Sequence, residues 1–154
     1  LKATPGDVLV VDAKGFVEAG PWGDVLTAAA LKIGVAGLVI HGAVRDADAI
    51  IAMGFPVFCR ALSIKSTGKV HAGRVNVPIS IGDVTIRQGD IIVGDRDGVV
   101  VVASEEAGEV VTAAQAREAK EEVFRTAIAN GTNTVELLGL YPMLERLGLL
   151  HSSE

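Results

Sequence analysis

The stretch Gly37-Leu38-Val39-Ile40-His41-Gly42-Ala43-Val44-Arg45-Asp46-Ala47-Asp48 decides the fold, because a short apolar run breaks there into a glycine turn carrying one guanidinium and two carboxylates. Gly37 to Ile40 reads as a buried strand. Ala49 to Met53, followed by Gly54, reads as a helix closed by a C-terminal glycine. Arg45, Asp46 and Asp48 are therefore expected at a strand-to-helix turn. In open α/β structures ligands gather at such turns, since strand ends and helix N-termini open onto one crevice.

Upstream, Pro5-Gly6-Asp7 introduces a continuous apolar strand, Val8 to Asp12, after which the chain is expected to turn from Lys14-Gly15 through Phe16 to Gly20. An alanine-rich helix is predicted from Asp24 to Ile33, with an acid at its start and Gly34 at its end. Downstream, Phe55 to Leu62 reads as a strand and Ser63 to Arg74 as an exposed, glycine-punctuated loop. Four β-rich runs follow, Val75 to Ile81, Val84 to Arg87, Ile91 to Val93 and Val99 to Val102. Gly82-Asp83, Gly89-Asp90 and Asp95-Arg96-Asp97-Gly98 separate them in the cadence of a β-meander. Ser104 is the expected N-cap of a helix running to about Asn130 and stopping at Gly131, and a shorter helix from Met143 to Leu147 closes the chain. This order, βαβαβ, then meander, then helix, predicts a single α/β domain built in layers.

The length of 154 residues suits one domain with a real core, and 49% hydrophobic residues with only 4% aromatic ones require that core to be Val, Ile, Leu and Ala. A net charge of -5 and the lack of any basic run argue against nucleic acid as a direct ligand. The one cysteine, Cys59, excludes an internal disulfide and reads as strand filler rather than as a nucleophile. No apolar run reaches membrane-spanning length and no charged-then-apolar leader is present, so no membrane association and a cytoplasmic location are expected. The abrupt start at Leu1, without Met, points to an upstream segment outside this sequence.

Asp46 and Asp48 have a structural reading as an N-cap and a first-turn acid. Arg45 does not, because a cation beside a helix N-terminus opposes the macrodipole and needs an anion. That anion is either a neighbouring carboxylate, Asp48 or Asp24, or a substrate carboxylate held by the guanidinium fork while an adjacent Asp holds a hard divalent cation. Gly23-Asp24-Val25-Leu26 is either an ordinary helix start or a second half-site, in which free backbone N–H groups cradle an anion and Gly23 admits a close approach. His41 and His71 are weaker candidates for a base or ligand, and Lys65 and Lys69 for a Schiff base, all having simpler structural readings. No Gly-x-Ser-x-Gly elbow, Cys-x-x-Cys pair, His-Glu-x-x-His or P-loop occurs.

From Pro5-Gly6-Asp7-Val8 through Gly42-Ala43-Val44-Arg45-Asp46-Ala47-Asp48, Gly54-Phe55-Pro56-Val57-Phe58 and Val75-Asn76-Val77-Pro78 to Gly89-Asp90-Ile91 and Asp97-Gly98-Val99-Val100-Val101-Val102, the chain resembles one family. It is that of the 4-hydroxy-4-methyl-2-oxoglutarate and 4-carboxy-4-hydroxy-2-oxoadipate aldolases, which share a fold with the regulator of ribonuclease E activity A. The resemblance implies a swivelling β/β/α-type layered domain, assembled as trimers or hexamers with sites between subunits. It implies retro-aldol cleavage of a 2-oxo acid to pyruvate and a second 2-oxo acid, with oxaloacetate decarboxylation as a side activity. Gly23, Asp24, Val25 and Leu26 match the segment whose backbone amides hold the pyruvate part, Arg45 matches the substrate-binding arginine, and Asp46 matches the metal ligand. Glu121, or Glu122, matches a glutamate that a neighbouring subunit's C-terminal helix adds to the site. The implied metal, Mg²⁺ or Mn²⁺, acts as Lewis acid, and Asp24 or a neighbouring acid polarises the water that moves the proton. Family members carry an N-terminal helical portion with no counterpart in these residues. A regulator that works by protein contact is the alternative the resemblance implies. A methyltransferase label, also attached to such sequences, finds no support in Asp12-Ala13-Lys14-Gly15, which is too sparse for a nucleotide turn.

Overall fold

The computed structural model describes residues 3–68, 70 and 72–149. Contacts gather the chain into two compact units, Leu1–Glu105 and Glu106–Glu154.

The first unit is organised by a three-stranded parallel sheet in the order β1-β2-β3, formed by Val8–Phe16, Gly37–Val44 and Val57–Leu62. The middle strand is buried along nearly its whole length, as expected of a parallel strand covered on both faces and flanked on both sides. Helices α1 (Asp24–Ile33) and α2 (Ala47–Ala52) make the crossovers. Ala30 of α1 and Ile50 of α2 pack with Leu38, Ile40 and Val44 of β2, and Trp22, Val35 and Phe55 complete the core. The Trp22 and Phe55 rings stack at 6.3 Å, and the Trp22 Nε1–H donates to Thr27 Oγ1 at 2.8 Å. Thr27 is fully buried and passes its own hydroxyl proton to the Gly23 carbonyl at 3.0 Å, so the polar groups of this corner are satisfied.

Helix α1 has the bounds its sequence predicts, with Gly34 in the left-handed conformation at its C-terminus. The strands run further than expected. β1 does not turn at Lys14-Gly15 but continues to Phe16 through a bulge, in which Lys14 (φ 56) and Gly15 (φ 72) adopt left-handed conformations and the register with β2 shifts. β2 likewise passes through Gly42 to Val44. A Cβ at Gly42 would come within 2.8 Å of the Ala13 Cβ, so the glycine serves close strand packing rather than a turn.

The β-rich segment forms two separate antiparallel hairpins instead of a meander, β4 (Ile79–Ile81) with β5 (Val84–Ile86), and β6 (Ile91–Gly94) with β7 (Val99–Val102). Val75 to Pro78 lies outside the first strand. Asn76 has φ 55 and Pro78 lacks a ladder donor, which together exclude extended pairing there. The end of β6 rests on β3, since Gly94 lies against the Phe58 ring so closely that a Cβ would sit 2.6 Å from it. Cys59, read as core filler, is exposed, because β3 is an edge strand. Desolvation by its packed neighbours still pushes the thiol pKa up, which keeps it protonated and unreactive at neutral pH.

The second unit holds α3 (Ala107–Ala129), α4 (Thr134–Leu137) and α5 (Tyr141–Arg146). Ser104 does not cap α3. It opens a 3-10 turn, Ser104–Glu106, and its hydroxyl bonds to Glu105. Helix α4 was not anticipated, although Asn133 and Glu136 stand in capping-box spacing and the Asn133 side chain accepts the Glu136 N–H at 2.9 Å. No residue of α3 is buried. None of the helices among the described residues is long and apolar enough to cross a membrane.

Candidate active site

All three sheet strands are parallel, so the segments after β1, β2 and β3 leave the sheet on the same side. They are tied to one another by backbone. Trp22 bridges to Val44, and its carbonyl accepts the Arg45 N–H at 2.9 Å. The Ser63 N–H donates to the Val44 carbonyl at 2.9 Å and the Gly20 N–H to the Lys65 carbonyl at 2.8 Å. The first of these links carries the start of α1 to the Arg45-Asp46 turn, joining two half-sites that lie 22 residues apart.

Asp46 occupies the N-cap position of α2 but does not cap it. Its backbone is left-handed (φ 58, ψ 38), and no helical N–H reaches its side chain. A non-glycine residue in this conformation carries strain that Asp tolerates better than most. The carboxylate turns instead toward α1, where Oδ2 lies 3.3 Å from the Asp24 backbone N–H and 3.3 Å from Arg45 Nε. Arg45 therefore pairs with Asp46, neither with Asp48 nor with Asp24. Its Nη1 donates to the Gly20 carbonyl at 2.8 Å. Held at both ends and still 31% exposed, the guanidinium presents its remaining N–H donors in a fixed plane. Asp48 lies in the first turn of α2, where the macrodipole favours it.

Gly23 is extended (φ -152, ψ -167), a conformation open to any residue, so its need is for space. A Cβ there would collide with Asp46 Oδ2 and lie 3.0 Å from Arg45 Nε. The room expected for a ligand is thus occupied by the site's own carboxylate. The amides of the α1 first turn are engaged in the same way. Asp24 Oδ1 accepts the Val25 N–H at 2.7 Å, Asp46 takes the Asp24 N–H, and no acceptor among the described residues engages the Leu26 N–H. The first two amides of the turn are therefore satisfied by the protein's own carboxylates.

The donor set suits a hard divalent cation. Asp46 is 38% exposed and Asp24 stands beside it, a sparse pair consistent with Mg²⁺, which keeps several waters. The described residues contain no cluster of three or more His, Cys, Asp or Glu that would form an all-protein cage. Glu121 belongs to the second unit. There it pairs with Arg117 Nε at 2.9 Å and Arg125 Nη1 at 3.9 Å, while Glu122 pairs with Arg125 Nε at 2.9 Å.

His41 is engaged at both ring nitrogens, Nδ1 lying 3.2 Å from Asp12 Oδ1 and Nε2 3.5 Å from Arg60 Nη1. Lys65 takes part through its backbone carbonyl, which accepts the Gly20 N–H. Lys69 and His71 lie outside the described residues. Sequence reasoning missed Gly20, whose carbonyl fixes Arg45, and Trp22, which docks α1 against β2. The Pro-Trp-Gly-Asp run was the one available signal, an aromatic beside the helix start.

The ends of the parallel strands thus bring the Arg45-Asp46 turn against the Gly23-Asp24 start of α1. Residues 1–101 match the RraA-like family, described as Aldolase/RraA, and the chain belongs to that family. Over 134 residues it is 42% identical to a protein of Halalkalibacterium halodurans provisionally named a 4-hydroxy-4-methyl-2-oxoglutarate aldolase, covering 87% of this chain and 64% of that one. The chain thus spans less than two thirds of that relative's length. Among solved structures, an uncharacterized protein from Pseudomonas syringae matches with a TM-score of 0.79 and 35% identity, over 88% of this chain and 68% of that one. RraAS2 of Streptomyces coelicolor, an unusual member of the RNase ES inhibitor RraA protein family, matches at 0.76 with 35% identity, over 82% of this chain and 65% of that one. The mixed α/β architecture is that of the swivelling β/β/α structures of RraA-like proteins.

Proposed function

We propose that the protein is a divalent-metal-dependent aldolase cleaving 4-hydroxy-4-methyl-2-oxoglutarate or 4-carboxy-4-hydroxy-2-oxoadipate to pyruvate and a second 2-oxo acid. The observation that carries this reading is the meeting of Arg45, Asp46 and the Asp24 amide at one point. Arg45 binds the substrate carboxylate through its free donors, and Gly20 keeps that fork oriented. The first-turn amides of Gly23, Asp24, Val25 and Leu26 take the pyruvate part as Asp46 and Asp24 release them. Asp46 holds Mg²⁺ or Mn²⁺, with Glu121 of a neighbouring subunit acting through water. When bound, the metal supplies Lewis-acid stabilisation of charge developing on the 2-oxo group. Cleavage breaks the carbon–carbon bond next to the tertiary alcohol, whose proton leaves as its C–O becomes a carbonyl. The bonding electrons pass to the pyruvate fragment, which a proton then quenches. Asp24 is placed to move that proton through water. Oxaloacetate, whose decarboxylation leaves the same carbanion, is a second substrate.

A homotrimer or hexamer is part of the reading. Its support is α3, which is 23 residues long without one buried residue and shows Val123 at 65% exposure, a surface that calls for a partner. A regulator acting by protein contact is the second reading, favoured by the likeness to RraAS2. Pyruvate release in excess Mg²⁺, abolished by chelator and by Arg45→Ala, supports the aldolase. Metal-independent inhibition of a ribonuclease with no pyruvate release supports the regulator.

A further inference from the structure

Between β1 and α1 the chain crosses the ends of β2 and β3, and residues 18–22 make this crossing without forming a strand of their own. Trp22 bridges to Val44 and its carbonyl takes the Arg45 N–H. The Gly20 N–H donates to the Lys65 carbonyl at 2.8 Å, and the Gly20 carbonyl takes Arg45 Nη1 at 2.8 Å. Ala19, Gly20 and Trp22 are buried. A Cβ at Gly20 would sit 2.7 Å from the Ser63 carbonyl oxygen, 2.7 Å from the Val44 carbonyl carbon and 2.9 Å from Arg45 N. All three are backbone atoms that cannot swing aside, so Gly20 rests against the strand ends with no slack on that side.

Ser63 ties the crossing down from β3. It follows the last residue of that strand, its N–H donates to the Val44 carbonyl at 2.9 Å, and its hydroxyl donates to the Glu18 carbonyl at 3.0 Å. Val44 immediately precedes Arg45, and Glu18 stands two residues before Gly20. One serine therefore spans the root of the arginine and the segment that carries its acceptor. Among the described residues, side-chain hydrogen bonds to the backbone of 18–22 come from Ser63 and from Arg45 itself. Ser63 is thus the side chain that fixes this segment independently of the arginine. Arg45 uses Nε on Asp46 and Nη1 on Gly20, so the direction of its remaining donors depends on where the Gly20 carbonyl is held. A planar fork that binds a carboxylate through paired donors is sensitive to small rotations.

We propose that Ser63 is a positioning residue for Arg45: by pinning the Glu18 carbonyl, its hydroxyl holds the Gly20 carbonyl in place and so aims the guanidinium at the carboxylate of a 2-oxo acid. The identity of that anion rests on the aldolase reading, and the rest on the geometry. Ser63 itself touches no substrate and moves no proton.

Ser63→Ala removes the hydroxyl and keeps the N–H bond to Val44, whereas Ser63→Thr keeps both. Two quantities are read on the intact chain with Mg²⁺. One is the exchange with water of the Arg45 Nε–H, assigned by NMR through its loss in Arg45→Lys. The other is KM and kcat for pyruvate release from whichever of the two proposed substrates the wild type cleaves. Ser63→Ala should speed the exchange about tenfold and raise KM about five- to tenfold, with kcat within about twofold of wild type, because the carboxylate is bound alike in the ground and transition states. Ser63→Thr should match the wild type in both. The partly buried side chain leaves the core intact, so Tm should change little. A serine with a merely structural role would lower Tm and leave the Arg45 exchange and KM unchanged, and that result overturns the proposal. An exchange rate that rises as much in Ser63→Thr as in Ser63→Ala also overturns it. A wild-type chain that releases no pyruvate contradicts the aldolase reading alone; the Arg45 exchange in Ser63→Ala then decides the positioning role, faster exchange supporting it and wild-type exchange overturning it.

Discussion

Replacing Gly23 by alanine separates the geometry of the site from the stability of the fold. The backbone there is extended, so alanine brings no conformational strain, and the whole effect is the collision of its Cβ with Asp46 Oδ2 and Arg45 Nε. Both are ends of partly exposed side chains, which give way more easily than backbone. Overpacking costs about 1–3 kcal/mol, and movable neighbours place this case near about 1 kcal/mol. The Arg45–Asp46 pair that breaks is 31% and 38% exposed, so screening leaves it worth at most about 1 kcal/mol more. At about 2–4 °C per kcal/mol for a chain of this size, Gly23→Ala should lower Tm by only a few degrees. Pyruvate release should fall by at least about a hundredfold, because Asp46 leaves its position and a displacement near 1 Å has that effect on a reacting geometry. Thermal unfolding and a coupled pyruvate assay on the same preparation read both quantities. Full activity, or a loss of stability above about 3 kcal/mol, would refute the reasoning.

Asp46→Gly relieves the left-handed strain of φ 58 and should stabilise the protein by up to about 1 kcal/mol while abolishing turnover, whereas Asp46→Ala abolishes turnover without that gain; denaturant midpoints distinguish them. Thr27→Val leaves the buried Trp22 Nε1–H without an acceptor, while the Gly23 carbonyl keeps the Thr27 backbone N–H at 3.1 Å, and should cost about 1–3 kcal/mol, read as a lower unfolding midpoint. Asp12, with its pKa held below 3.8 by its hydrogen bonds to Lys14, binds fewer protons folded than unfolded. Its contribution is complete above that value and disappears as pH falls through the folded pKa, so Asp12→Asn should flatten the acid limb of a stability–pH curve.

The layered α/β fold was legible because it rests on local chemistry. The Ala-rich run with Asp24 before it and Gly34 after it defines α1 residue for residue, and the apolar run from Gly37 defines the central strand. Strand ends were less legible, since bulges at Lys14-Gly15 and around Gly42 use glycines that also mark turns. The shortening of the first run to Ile79–Ile81 depends on Asn76 and Pro78, whose interruption of Val75 to Ile81 outweighs β propensity. At the site, the residue types of Gly23, Asp24, Arg45 and Asp46 were readable, but their meeting was not. It depends on Trp22 bridging to Val44, a tertiary contact with no local signature. Of the two readings of Asp46, the cap does not hold, because N-cap propensity describes an isolated helix, whereas here Arg45 and the Asp24 amide compete for the same carboxylate and win.

The central claim is that Arg45, Asp46 and the start of α1 form a metal-assisted site for cleaving a 2-oxo acid. It is tested most directly by pyruvate release from 4-hydroxy-4-methyl-2-oxoglutarate and 4-carboxy-4-hydroxy-2-oxoadipate, with excess Mg²⁺ and then with chelator, for the wild-type chain and Arg45→Ala. The account predicts release from at least one substrate that chelator stops and the substitution abolishes with the fold intact. Release that survives both chelator and Arg45→Ala would contradict it.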